Sequence, residues 1–393
     1  MTMSVNDHVR WLVGRPTSAQ HATALPPLPP GTQPTGDSLF DRLGRGISSS
    51  AAAVGAAGVI GGVLAGGVGA VAGAGVVSLV AGSVRAPGTV DGGAQAKTGI
   101  RAPEQLRVMT WNLHGGMGGR GSFFASEEDL DRIAEEVRRQ QPDVLVLQEV
   151  DLSAPRSGYR DVLAGLVRRL NPTSAVSGAG LTRLTGRSQH VAVMTFHDVT
   201  VTNARNLVHE DRLGNSAMRR VRGTITDAHK LVDGIRHKHH DDAADAIPAI
   251  DVRDTLDTMI HTPAGNDVRV ITGHYSGRSA SNDGAAASLF PLAATVGAWS
   301  GATLLAGDFN VVSSSPDGVR ERRVLGAVGL RDAFEAVGIQ PGDARRASTQ
   351  PPETHDIDRI YTSQQVAVSS IATSATAGTA SDHVPVIADV VLR

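Results

Sequence analysis

Short apolar runs of strand length alternate with helix-period segments along the C-terminal three quarters of the chain. Residues 106–111 (LRVMTW) and 143–147 (DVLVL) are nearly continuous apolar runs, the pattern of strands covered on both faces. Between them, residues 127–139 place Leu130, Ile133, Ala134 and Val137 on one helical face. Further strands are expected at 191–195, 268–272, 303–305, 358–362 and 384–391. Such a mixture predicts an α/β domain over about residues 105–393, with helices covering sheet faces.

Two regions break this rhythm. Residues 203–264 are charge-rich and read as an insertion; within them Arg236-His-Lys-His-His-Asp-Asp242 raises the question of a metal-binding loop. Three histidines in four residues cannot all face one ion from a regular helix, so a solvated surface segment is the favoured reading. The other region is N-terminal. Residues 1–45 read as a polar tail in which Leu25-Pro-Pro-Leu-Pro-Pro30 favours polyproline geometry. Residues 46–84 then run for 39 positions without a charge, and residues 85–104 read as a linker.

A helix needs only about 20 apolar residues to cross a bilayer, so the length of 46–84 suffices. Its composition is weaker. In the window 60–79, Ile60, Val63, Leu64, Val68, Val71, Val76, Val77 and Leu79 contribute about −2 to −5 kcal/mol, against which stand the glycines. Gly58, Gly62 and Gly66, then Gly69 and Gly73, recur at the spacing that lets two membrane helices approach, which suggests helix–helix self-association. The expectation is a Gly/Ala-rich hydrophobic helix that spans the membrane once or as a hairpin. An export signal with Ala94-Gln95-Ala96 as a cleavage-like site is the second reading, and a flexible Gly/Ala linker the third. Either of the first two makes the protein membrane-anchored or secreted, which allows an extracytoplasmic C-terminal domain. Arg42 and Arg45 before the run balance Arg85, Lys97 and Arg101 after it, so orientation is left open.

Composition narrows the chemistry. The 393 residues include no cysteine, which excludes disulfide scaffolds, thiolate-bound metals and a cysteine nucleophile. The first 100 residues hold six Lys+Arg and four Asp+Glu of the total 37 and 39, leaving 31 against 35, a net of −4, in the rest. That balance argues against a generic duplex binder, unless Arg219, Arg220 and Arg222 join the His/Lys cluster in a local basic patch. The 3% of aromatics leave few rings to stack on single-stranded bases.

Polar side chains recur at the ends of the expected strands, where open α/β sheets present their ligands. Thr110-Trp-Asn112-Leu-His114-Gly-Gly116 follows the first strand and Leu147-Gln-Glu149-Val-Asp151 the second. Thr272-Gly-His274, Gly307-Asp308-Phe-Asn310, Ile357-Asp358-Arg-Ile360 and Ser381-Asp382-His383 follow in order. Any one of them could be a turn or a cap. In this order they resemble the motif series of the endonuclease/exonuclease/phosphatase superfamily over about residues 106–393. The resemblance implies a four-layer α/β sandwich with two mixed β-sheets face to face and helices outside. It also implies a metal-dependent hydrolase of phosphoester bonds, whether nuclease, phosphodiesterase or phosphatase. Val384, where many bacterial relatives carry Arg, and the long insertion both fall where substrate choice is expected, so the substrate class stays open among nucleic acid, phospholipid headgroup and small phosphate ester.

The residue types suit that chemistry, which needs an activated water, neutralised phosphoryl charge and help for the leaving oxygen. Glu149 is a hard oxygen ligand for Mg²⁺, with Mn²⁺ as the alternative ion; Asp382 would add a second carboxylate, and Asn112 a neutral ligand or hydrogen-bond partner. His383 is the candidate base or donor, and Asp358 the carboxylate that fixes its tautomer. From the resemblance, His274 would donate to a phosphate oxygen, Asp308 would orient or deprotonate water, and Asn310 would hold the phosphoryl group. The base stays open between Asp308 and His383. His114 is a possible site-lining residue, and His190 reads as structural. A competing class is a membrane-active or assembly protein whose C-terminal domain only binds; such a descendant should have lost Glu149, Asp308 or His383, all of which are present.

Overall fold

The computed structural model describes residues 9–14, 25, 105–119, 124–152, 157–182, 188–208, 254–275, 289–297 and 299–393. Two mixed sheets pack face to face. In chain order the first contains β1 (Val9–Val13), β2 (Gln105–Asn112), β3 (Val144–Leu152), β4 (Ser174–Thr182), β5 (Ser188–Thr195), β12 (Val366–Thr373) and β13 (Val386–Leu392), arranged β1-β4-β5-β3-β2-β13-β12. The second contains β6 (Thr200–Val208), β7 (Asp254–His261), β8 (Asp267–His274), β9 (Thr303–Asp308), β10 (Arg331–Asp332) and β11 (Asp358–Thr362), arranged β10-β11-β9-β8-β7-β6. Helices α1 (Glu127–Gln140) and α2 (Val162–Leu170) cover the outer face of the first sheet; α3 (Leu289–Gly297) and α4 (Pro316–Gly326) cover that of the second, and a short α5 (Ala333–Ala336) follows β10.

The period-two alternation of the strands builds the layers. Val108, Val146 and Val193 face Val270, Leu304, Ala306 and Ile360 between the sheets, while Met109, Leu145 and Met194 point out beneath Leu130, Ile133, Leu163 and Leu166. Each such fully buried aliphatic side chain contributes roughly 1.5–3 kcal/mol. Helix α1 starts where Ser126 and Asp129 exchange side-chain-to-backbone bonds in a capping box, and it ends at the left-handed Gln141. Between β8 and β9 the backbones approach so closely that a Cβ at Gly307 would collide with the Gly273 carbonyl, while a Cβ at Gly273 would meet the Tyr275 ring.

The four-layer α/β sandwich expected from the motif order is the fold observed. Three expectations need correction or limits. Residues 203–264 are not all insertion: their ends are β6 and β7, paired over eight registered positions from Thr200↔His261 to Val208↔Asp254. Polar strand faces hid them, because Arg205 and Arg269 meet Asp257 there instead of solvent. The His/Lys cluster and Arg219, Arg220 and Arg222 lie outside the described residues. Nor are residues 1–45 wholly a tail. β1 pairs antiparallel with β4 through Val9↔Gly178, Arg10↔Ser177, Trp11↔Val176 and Val13↔Ala175, and Arg10 reaches Asp161 at 2.6 Å. The expected Gly/Ala-rich helix at 46–84 and the linker at 85–104 lie outside the described residues; among those described, no helix is long and apolar enough to cross a membrane.

Candidate active site

The parallel pairs β2–β3 and β8–β9 end at the same edge of the sandwich, and the strand-end motifs meet there. Asn112 closes β2, and its Nδ2 donates across the sheets to Asp308 Oδ2 at 2.9 Å, with Glu149 Oε1 at 3.4 Å. Its Oδ1 accepts from His114 N at 3.0 Å. Asn112 therefore acts as a hydrogen-bond partner that ties Glu149 to Asp308. Directly beneath, Gln148 Nε2 donates to Thr110 Oγ1 and Thr272 Oγ1, at 3.1 and 3.2 Å, bridging the two sheets. Glu149 reaches the site because the β3–β5 register shifts between Leu147 and Val150, and Glu149 itself takes φ 50°; the bulge re-aims its side chain.

On the second sheet, His274 ends β8 opposite Asp308 at the end of β9, and Asp358 opens β11 opposite the same residue. His274 Nε2 lies 3.4 Å from Asp308 Oδ2 and 3.7 Å from Glu149 Oε1. Asn310 bends back so that its amide donates to Asp308 Oδ1 at 2.7 Å, while its Nδ2 donates to the Tyr275 carbonyl at 2.9 Å. The last motif comes from the loop before β13. Ser381 Oγ donates to the Asn112 carbonyl at 2.7 Å and accepts from His383 N at 3.2 Å; Trp111 Nε1 donates to the His383 carbonyl at 2.9 Å. His383 Nδ1 then pairs with Asp358 Oδ2 at 2.7 Å.

The charges shift accordingly. Burial would lower the His383 imidazole, but the carboxylate of Asp358, by charge and hydrogen bond, and those of Asp308 and Asp382 push it up to about 10. Burial, then the neighbouring charge of Asp358, hold the Asp308 carboxyl above its ordinary range against the pull of His274, His383 and Asn112. Below Asp358, Arg359 Nη1 binds both oxygens of Glu321 at 2.7 and 2.6 Å, and Tyr361 donates to the same carboxylate, so β11 is anchored by a buried ion pair in which Arg359 Nε is left without a partner among the described residues.

Asp308, Asp358 and His383 could share one ion by distance alone. Asp358 Oδ2 is committed to His383 Nδ1, so the trio reads as a carboxylate–imidazole pair beside a second carboxylate. On the side of Asn112 and His114 stand the carboxylates of Glu149 and Asp382. Across the whole edge the carboxylates of Glu149, Asp308, Asp358 and Asp382 outnumber the imidazoles of His274, His383 and His114, a donor set that suits a hard divalent cation. The buried oxygen here without a partner among the described residues, Asp358 Oδ1, belongs to the trio with Asp308 and His383, not to the Glu149 and Asp382 side. His114 sits beside Asp382, its Nδ1 at 3.8 Å from Oδ2, and so lines this side. His190 stands apart, 7% exposed, with Nδ1 3.2 Å from Ser177 Oγ; burial lowers it to about 4, and it is structural.

Every residue named from the motifs thus gathers at this edge, His114 included. Thr349 and Gln350 also lie here and were not among the residues named from the motifs. Thr349 Oγ1 accepts the amides of Ile357 and Asp358 at 3.0 and 3.1 Å, its carbonyl accepts Val384 N at 2.8 Å, and Gln350 Nε2 lies 3.4 Å from His383 Nε2. They belong to an irregular turn without periodicity, for which the Pro351-Pro352 pair is the local sequence signal.

Two facing mixed sheets with these polar groups at one edge define an α/β-sandwich protein with a strand-end site. The profile of the Endonuclease/Exonuclease/phosphatase family matches residues 109–383, and the chain belongs to that family, whose members hydrolyse phosphoester bonds. Among solved structures it resembles the endonuclease/exonuclease/phosphatase from Beutenbergia cavernae DSM 12333, with TM-score 0.53 and 21% identity over 74% of this chain and 72% of that one. It also resembles the human Nocturnin catalytic domain with a bound sulfate anion, with TM-score 0.50 and 16% identity over 75% and 97%. No curated protein sequence matches.

Proposed function

We propose that the chain is a Mg²⁺-dependent phosphoester hydrolase whose reaction takes place between Glu149, Asp308 and His383. The observation that carries this reading is the junction of the two sheets, where Asn112 bonds Asp308 while Asp358 holds His383. Glu149 and Asp382 would hold the cation, with Asn112 aligning Glu149; when bound, it would supply charge neutralisation at the phosphoryl oxygens. The remaining steps belong to side chains. With its imidazole pushed up to about 10, His383 is protonated at neutral pH and faces the phosphoryl group as a donor. Asp308, held above the usual carboxylate range, is the better group to orient the attacking water and take its proton. His274 and Asn310, flanking Asp308, would bind phosphoryl oxygens.

The test is turnover of a chromogenic phosphodiester by the full chain, with and without chelator, for wild type and His383→Ala. DNA, RNA, sphingomyelin and inositol phosphates run in parallel to assign the substrate. Metal-dependent turnover lost in the variant is expected; equal rates in both proteins, or turnover indifferent to chelation, would refute it.

Membrane attachment through residues 46–84 takes a restricted form in this reading. β1 and β2 lie in one sheet, on either side of that segment in the chain. A single crossing would put them on opposite faces of the bilayer, and cleavage after Ala96 would remove β1. We therefore favour a segment that enters and leaves by one face.

A further inference from the structure

We propose that Gln350 is a substrate-contacting residue, its side-chain amide donating to the phosphoryl oxygen that also meets His383 Nε2. The inference rests on the hydrolase reading above. His383 is held on three sides: Nδ1 by Asp358, its amide by Ser381 and its carbonyl by Trp111. Nε2 is the ring atom left to face a ligand. The Gln350 carboxamide lies against it, Nε2 to Nε2, at 3.4 Å. That is longer than the 2.7–3.2 Å of an ordinary hydrogen bond, so the contact is one that a phosphoryl oxygen can replace to the benefit of both groups. An oxygen placed about 2.8 Å from the imidazole on this side falls within reach of the amide donors as well.

The side chain is presented by a turn whose own closure does not need it. Thr349 N and Gln350 N donate to the His355 carbonyl at 2.8 and 3.3 Å. Ser348 Oγ donates to the same carbonyl at 3.1 Å, and Thr349 Oγ1 pins the turn to the start of β11. Among the described residues the one further contact of the carboxamide, Oε1 to His355 Nδ1 at 3.4 Å, is solvent-exposed. Truncating Gln350 should therefore leave the fold intact while removing a donor from the ligand side. The identity of the residue matters too. A neutral amide adds a donor without adding charge, whereas a carboxylate there would repel both the phosphoester and the cluster of Asp308 and Asp358.

The experiment compares wild type, Gln350→Ala, Gln350→Asn and Gln350→Glu as full chains. It measures kcat and KM on bis(p-nitrophenyl) phosphate with Mg²⁺, the inhibition constant of inorganic phosphate, and thermal stability. Gln350→Ala is expected to lower kcat/KM by about 10- to 100-fold, the worth of one neutral donor on a charged oxygen, and to weaken phosphate inhibition, with Tm unchanged. Gln350→Glu should be worse than Gln350→Ala, and Gln350→Asn intermediate. If Gln350→Ala and Gln350→Glu both stay within about twofold of wild type while His383→Ala is inactive, the role of Gln350 is refuted and the hydrolase reading stands. A wild type without turnover overturns both.

Discussion

Replacing Asp358 by asparagine keeps the volume of a side chain that is 1% exposed and removes the charge that sets the state of His383. In the folded protein the imidazole is raised from 6.5 to about 10, a preference for the protonated form of order 5 kcal/mol, shared by Asp358, Asp308 and Asp382 and net of the burial that opposes them. Asp358 contributes most, through both its charge and the 2.7 Å bond. Without it, burial draws the imidazole back toward neutrality, and the amide holds Nδ1 in either tautomer. We expect kcat to fall by about 10² to 10⁴ with the far-ultraviolet circular dichroism unchanged. The pH dependence follows from the sign of the shift. A group raised on folding stabilises fully below its unfolded value of 6.5 and loses that contribution as pH rises through about 10. Wild type should therefore lose stability across that window, and Asp358→Asn should be flatter. Urea unfolding from pH 6 to 10 and imidazole proton resonances measure both. A variant within threefold of wild-type kcat, or an unmoved His383 titration, would refute the role assigned to the pair.

The remaining predictions concern the scaffold and its topology. His190 is lowered on folding from 6.5 to about 4, so the unfolded chain takes up its proton first and stability falls as pH drops from 6.5 toward 4. That costs about 2 kcal/mol by pH 5, and urea titrations of His190→Gln should show the smaller slope. Arg269, fully buried, binds Asp257 through Nε and Nη2 at 2.8 and 2.7 Å; Arg269→Met should cost about 3–5 kcal/mol, and a loss below 1 kcal/mol would show that Arg205 alone compensates the carboxylate. The chain has no cysteine, so single cysteines at the exposed positions Val13 and Val319 report sidedness cleanly. In sealed membranes an impermeant maleimide should label both from one face; labelling from opposite faces would overturn the shared sheet of β1 and β2.

Much of the fold was legible because its pattern is local. The LRVMTW and DVLVL runs are strands sealed on both faces, and the 127–139 periodicity became α1 almost to the residue. The segment at 303–305 extends to Asp308 and the one at 384–391 starts only at Val386. These boundaries moved because strand pairing, not hydropathy, ends a strand. β6 and β7 were hidden because their charged residues pair across strands inside the protein, where a sequence reading assigns them to solvent. β1 was hidden because five residues of an edge strand carry no pattern that distinguishes them from a tail.

By itself the sequence determined which polar groups lie at strand ends and meet at one edge of the sandwich, since each motif is a short run whose neighbours reveal the strand. It also determined the alternation that gives each sheet two covered faces. Only the tertiary structure decided how those groups combine. That Asn112 reaches Asp308 across two sheets, that a bulge aims Glu149, and that Gln350 meets His383 all depend on contacts between residues 33 or more positions apart. Such distances are set by the packing of the sheets, and no local propensity records them.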